Sequence, residues 1–206
     1  MEGTDPVNKK LAAALSGGAV LVAALSGCSS KDSGPDPKLV AWAKSVCDAV
    51  PAQDAKIREA NASIAKIATD SNLPPKTAKS TYASAFQDMA DGYKGLAAAI
   101  NSAGAPPGVE GGAKRQKDAA KNLAGLATAY GDLKKKVDGL DTEDQGKFAK
   151  GLHEVADQTK QIGEQSNSGT EALKRLEQGE VKDAIAEQPS CKVAASASAP
   201  ASATTG

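Results

Sequence analysis

The 206 residues are too few for two ordinary domains once polar ends are set aside, but they suffice for one. Hydrophobic residues make up 40% and aromatics only 3%, so the apolar content is largely alanine. Such a core suits closely packed helices and excludes a sandwich or barrel, which needs β-branched and aromatic runs. Lys+Arg and Asp+Glu each total 25, and a balanced chain lacks the basic footprint that nucleic-acid binding requires.

The N-terminus has the three parts of an export signal. Lys9 and Lys10 supply positive charge, and residues 11–25 form an uncharged run of Leu, Ala and Val broken by Gly17 and Gly18. That run is long for a signal core and short for a membrane span of ~20 residues. Leu25-Ser26-Gly27-Cys28 follows, and it resembles the lipobox of bacterial lipoproteins. The resemblance implies cleavage before Cys28, a diacylglyceryl group on its sulfur, and attachment to the outer face of the cell membrane. Two lipid chains, at ~0.8 kcal/mol per buried methylene, hold stably where one does not. An ordinary secretory signal releasing a free product is the alternative.

Residues 1–27 are therefore expected to be a removed signal peptide. Residues 28–37 are the lipidated cysteine and a polar, Gly- and Pro-containing flexible linker. A helical bundle domain is expected over 38–192. Residues 193–206, built of Ala, Ser, Thr and Pro after Val193, read as a disordered low-complexity tail.

Within 38–192 apolar residues recur at helical spacing. The first stripe is Leu39, Trp42, Val46, Val50, Ile57, Ile64 and Ile67, with Pro51 inside it, which predicts a kink or two pieces. Leu73-Pro74-Pro75 ends that helix and starts the next, whose stripe is Tyr82, Phe86, Met89, Tyr93, Leu96 and Ile100. Gly104-Ala105-Pro106-Pro107-Gly108 separates it from a third helix on Ala119, Leu123, Leu126, Tyr130, Leu133, Val137 and Leu140. Asp141 reads as the cap of a fourth, with Glu143 and Asp144 in its first turn and Phe148, Leu152, Val155, Thr159 and Ile162 as its stripe. Ser166-Asn167-Ser168-Gly169 reads as a break or bend before a shorter fifth helix through Leu173, Leu176 and Ile185. The expected fold is all-α: an up-and-down antiparallel bundle of four long helices plus a shorter fifth, without a sheet. Spacing near 3.5 residues implies shallow crossing angles, and runs of about 30 residues imply a bundle ~45 Å long.

With Cys28 taken by lipid, Cys47 and Cys191 remain. An even remainder in an exported chain points to a disulfide joining the two ends of the domain. Two free thiols or half of a metal site are the rivals, and no further ligands are spaced for the latter.

Motifs that carry chemistry are sparse. His153-Glu154-Val155-Ala156-Asp157 is similar to the zinc-protease motif with Asp in place of the second His, but His153 is the only histidine. Ser63-Ile64-Ala65-Lys66 matches the Ser-x-x-Lys of penicillin-binding proteins, yet its partner motifs are missing. No nucleophile elbow or Gly-rich phosphate loop occurs, so no catalytic residue, metal ligand or cofactor is expected. Residues 109–140 hold seven basic and four acidic residues, whereas 141–191 hold eleven acidic and six basic. Neighbouring helices of opposite sign attract. The functional alternative has Lys134-Lys135-Lys136 touch anionic lipid or wall polymer. Trp42 and the Tyr/Phe stripe read as core rather than as the lining of a ligand groove.

With Leu25 to Cys28, Ala41-Trp42-Ala43-Lys44-Ser45-Val46-Cys47 and Pro189-Ser190-Cys191, the chain resembles the small secreted lipoproteins of actinobacteria. That resemblance implies an envelope setting and no mechanism. The functional expectation is a non-enzymatic, membrane-anchored module that binds an envelope protein, wall polymer or small ligand. A structural spacer is the second expectation, and an enzyme of unrecognised type the third.

Overall fold

Asp36 opens the first helix. Its carboxylate accepts from the Lys38 backbone N–H at 2.7 Å, and Pro37 occupies the first turn, where a missing N–H costs nothing. In the computed structural model, which describes residues 34–70 and 72–192, this helix is α1, Pro37–Thr69. It is followed by α2 (Pro75–Ala103), α3 (Gly112–Asp138), α4 (Gln145–Leu176) and the short α5 (Glu180–Ala186), with a last helical turn at 189–192. The leader, Cys28 and the tail from 193 onward lie outside the described residues.

The architecture is all-helical, with four long helices packed antiparallel and no strand among the described residues. α1 packs on α2, α2 on α3, α3 on α4, and α5 returns to α1. Every member of the α2 stripe from Tyr82 to Ile100 is buried, as are Ala119, Leu123, Leu126, Tyr130, Leu133 and Val137 on α3. Phe86, Tyr82, Tyr130 and Tyr93 form a column of rings across the α2–α3 interface. Tyr93 and Tyr130 lie almost parallel with centroids 5.5 Å apart.

Two local expectations need correction and a third is narrowed. Of the kink or the two pieces expected at Pro51, two pieces is excluded, since α1 is one helix through it. Both halves of α1 bury residues in the common core, from Leu39 to Cys47 and from Ile57 to Ala68, and that burial outweighs one missing backbone bond. The cap of α4 is Asp144, whose side chain accepts from the Lys147 N–H at 3.0 Å, while Asp141 makes a tight turn onto the Glu143 N–H. The fifth helix does not begin after Gly169. α4 runs unbroken through 166–169, because Gly169 is buried against Leu126 and Thr170 bonds back to the Ser166 carbonyl at 3.0 Å. The break falls at Gly179, whose φ of 67° is accessible to glycine at little cost, so Leu173 and Leu176 belong to α4.

Small residues set the helix separation. A Cβ at Gly92 would stand 2.6 Å from Ile57 Cγ1 and 3.2 Å from the Gln53 carbonyl oxygen. Cys47 and Cys191 form a disulfide with Cα atoms 5.0 Å apart, across 144 positions. Cys47 is fully buried. Beside the bond, Ser190 Oγ donates to Asp48 at 2.8 Å, so the chain's last turn is held to α1 at two adjacent points.

Gly92→Ala is expected to lower stability by about 1–2 kcal/mol in urea unfolding, since the clash with buried Ile57 and a carbonyl exceeds the ~1 kcal/mol gain in helix propensity. Gly131→Ala in α3, where nothing lies within 4 Å of the new methyl, should gain up to about 1 kcal/mol in the same assay. Reducing the disulfide, or replacing both cysteines with Ser, should cost about 2–5 kcal/mol because a long loop is released.

Candidate functional site

A cleft floored by apolar side chains runs between α1 and α4. Its floor is Ile57, Leu96, Leu123, Leu126 and Leu173, and its rim carries Asp54, Tyr93, Ser166 and Thr170. It exists because the α4 stretch facing α1 supplies Ser166, Gly169 and Thr170 where a large aliphatic would fill the seam. The enclosed space is about 50 Å³, room for a few waters and well below the ~300 Å³ of an ordinary ligand pocket.

The rim is tied within the protein. Asp54 pairs with Arg58 at 2.9 Å, one turn along α1. Burial pushes the Tyr93 phenol above its ordinary range, the Ser166 hydrogen bond pulls the other way, and the Asp54 charge adds to the rise. Tyr130 is shifted up more strongly, by burial first and then by Tyr93. Both phenols stay protonated at neutral pH, so Tyr93 brings a neutral hydroxyl to the rim.

The residues singled out in the sequence do not converge on this cleft. His153, Glu154 and Asp157 lie exposed on α4, and Glu154 pairs with Lys136 of α3 at 3.1 Å. Among the described residues, no group of three or more His, Cys, Asp or Glu is placed to hold a metal ion. Ser63 is half-buried and Lys66 exposed on α1. Trp42 is core, with its indole N–H donating to the Gly104 carbonyl at 2.9 Å. The basic run is occupied: Lys134 pairs with Asp138 at 2.5 Å, Lys135 with Asp132 at 2.8 Å, and Lys136 with Glu154. Of these, only Lys136–Glu154 joins α3 to α4, so opposite helix charge contributes one direct pair to that packing.

Sequence reasoning missed the buried Gln116 and Gln188 and the half-buried Glu177; Gln188 donates to the Ala184 carbonyl at 3.0 Å. Gln116 donates to the Ile100 carbonyl at 3.1 Å and to Asn101 at 3.2 Å, closing the α2–α3 corner. Glu177, half-buried where α4 ends, has its carboxyl pushed up to about 7 by burial. An isolated Gln or Glu near a helix end carries no periodic signal that would mark it as buried.

Because the folded carboxyl binds its proton more tightly than the unfolded one, the folded state gains most at acidic pH. Stability should then fall as pH rises from roughly 4.5 to 7. Glu177→Gln should flatten that slope and be more stable than the parent by about 1–2 kcal/mol at pH 8, as read by thermal unfolding across pH. An unchanged pH slope would show that the carboxyl is solvated. Comparison adds no likeness to set beside this geometry: no protein-family model, no curated protein and no solved structure matches the chain.

Proposed function

We propose that this chain is an exported lipoprotein, anchored to the cell membrane through lipid on Cys28 and facing the outside. In that reading its helical body is a non-enzymatic module for an envelope protein or wall polymer. The observation that carries the reading is Leu25-Ser26-Gly27-Cys28 directly after an uncharged apolar run. The Cys47–Cys191 disulfide supports it, since such bonds persist on the oxidising side of the membrane. No helix among the described residues is long and apolar enough to cross a membrane. Attachment would then fall to the lipid.

At the α1–α4 seam a polymer or protein surface suits the body better than a small ligand does, because the cleft there holds about 50 Å³; a more open, polar hollow of about 300 Å³ lies at Gly108–Glu110, Arg115 and Gln178–Glu180. The same filled core, under surface charges paired within their own helices, favours the second reading of a spacer that holds other parts off the membrane.

Mass spectrometry of the mature protein should find its N-terminus at Cys28 carrying two or three acyl chains, and Cys28→Ala should move the protein from the membrane fraction to the medium or leave it unprocessed. An unmodified Cys28, or a mature start elsewhere, would overturn the anchor. Cross-linking on intact cells separates module from spacer: a reproducible envelope partner that depends on residues of the body supports the module, and its absence supports the spacer.

A further inference from the structure

The fold sorts its loops and chain ends to opposite ends of the bundle. Trp42, one turn into α1, donates to the Gly104 carbonyl in the α2–α3 connection. Arg115, at the start of α3, donates to the Arg175 carbonyl at the end of α4, at 3.2 Å. The start of α1, residues 104–111 and the α4–α5 junction therefore share one end, called here the near end. At the far tip Lys79 donates to the Leu140 carbonyl at 2.9 Å and Lys76 pairs with Glu143 at 2.7 Å, which joins the 70–74 and 139–144 connections. The last described turn is fastened at Cys47 and Asp48, about 15 Å along α1 from its start. Both ends of the described chain thus leave from the near half, and the far tip carries none.

We propose that the near end is apposed to the lipid bilayer and that the far tip is held away from it. This rests on the reading of Cys28 as the anchor. Eight residues separate Cys28 from Pro37, and even fully drawn out they reach at most about 30 Å. α1 alone is 33 residues, so the far tip stands roughly 50 Å farther along the axis.

The lysine run on α3 offers no free cluster to draw the flank down flat. Each lysine of the 134–136 run is already matched by a carboxylate, two of them on α3 itself. The cations where α3 starts and α4 ends are engaged as well. The Arg115 guanidinium is taken by the Glu110 and Arg175 carbonyls, Lys114 by Asp118 and Lys174 by Glu171. The tether, and not these paired cations, sets the orientation. Residues 105–109 are uncharged, with Ala105 and Gly108 exposed and Pro107 and Val109 half-buried, and the exposed Glu110 follows them.

The test uses the full lipid-anchored protein, purified from membranes and reconstituted into phosphatidylcholine vesicles with or without phosphatidylglycerol. Single fluorophores are placed at Ala105→Cys for the near end, and at Asn72→Cys or Gln145→Cys for the far tip. All three positions are exposed. A headgroup-bound quencher should quench the Ala105 probe several-fold more strongly than either far probe, with a ratio unchanged by phosphatidylglycerol or salt. Equal quenching, or a ratio that collapses with anionic lipid, means the bundle lies flat and overturns the proposal. A protein that fails to float with vesicles loses the anchor reading and the proposal together. One that floats with equal quenching loses the orientation alone. In cells, a photo-cross-linker on Ala105→Cys should capture lipid. Capture of protein at that position instead would assign the near end to a protein partner and overturn the bilayer.

Discussion

The fold depends on how closely α1 and α2 approach. α2 is the middle of the bundle, packed against α1 on one side and α3 on the other. Alanine and glycine are what α2 offers α1: Gly92 accepts Ile57 and the Gln53 carbonyl where any Cβ would collide. With so few large side chains, tight backbone approach replaces bulk as the means of filling space. Phe86, Met89 and the rings stacked on Tyr130 can then complete the core with little void.

Close approach raises the demand on the ends, where backbone groups lose their helical partners and have little room for water. The near end answers with long side chains reaching across connections: the Trp42 indole to Gly104, and the Gln116 amide to Ile100 and Asn101. The far tip uses Lys79 on the Leu140 carbonyl. α5 is short and packs chiefly on α1, so its own burial is small. The disulfide at Cys191, with Ser190 on Asp48, holds the segment after it to the body.

The same economy disperses the chemistry. Charged side chains pair mostly within one helix at exposed positions, where each pair contributes ~0–1 kcal/mol. The polar groups that burial does perturb, Tyr93, Tyr130 and Glu177, do not gather into one site with the exposed His153.

The periodic stripes on α2 and α3 were legible residue by residue except at Leu140, which falls past the end of α3, because burying one face of a helix forces apolar side chains into steps of three and four. The Pro-Pro and Gly-Pro connections were equally legible, since those residues cannot continue a helix at ordinary cost. The pairing of Cys47 with Cys191 followed from counting. What the sequence could not decide was whether a local breaker prevails: Pro51 read as a kink or a split and residues 166–169 as a break or bend, yet tertiary burial on both sides of each carries the helix through. α4 ends at Leu176 instead, ahead of Gly179. The cleft between α1 and α4, the burial of Gln116 and Glu177, and the gathering of both described chain ends in one half are likewise tertiary facts. Each depends on which distant residues meet, and a one-dimensional pattern of polarity holds no record of that.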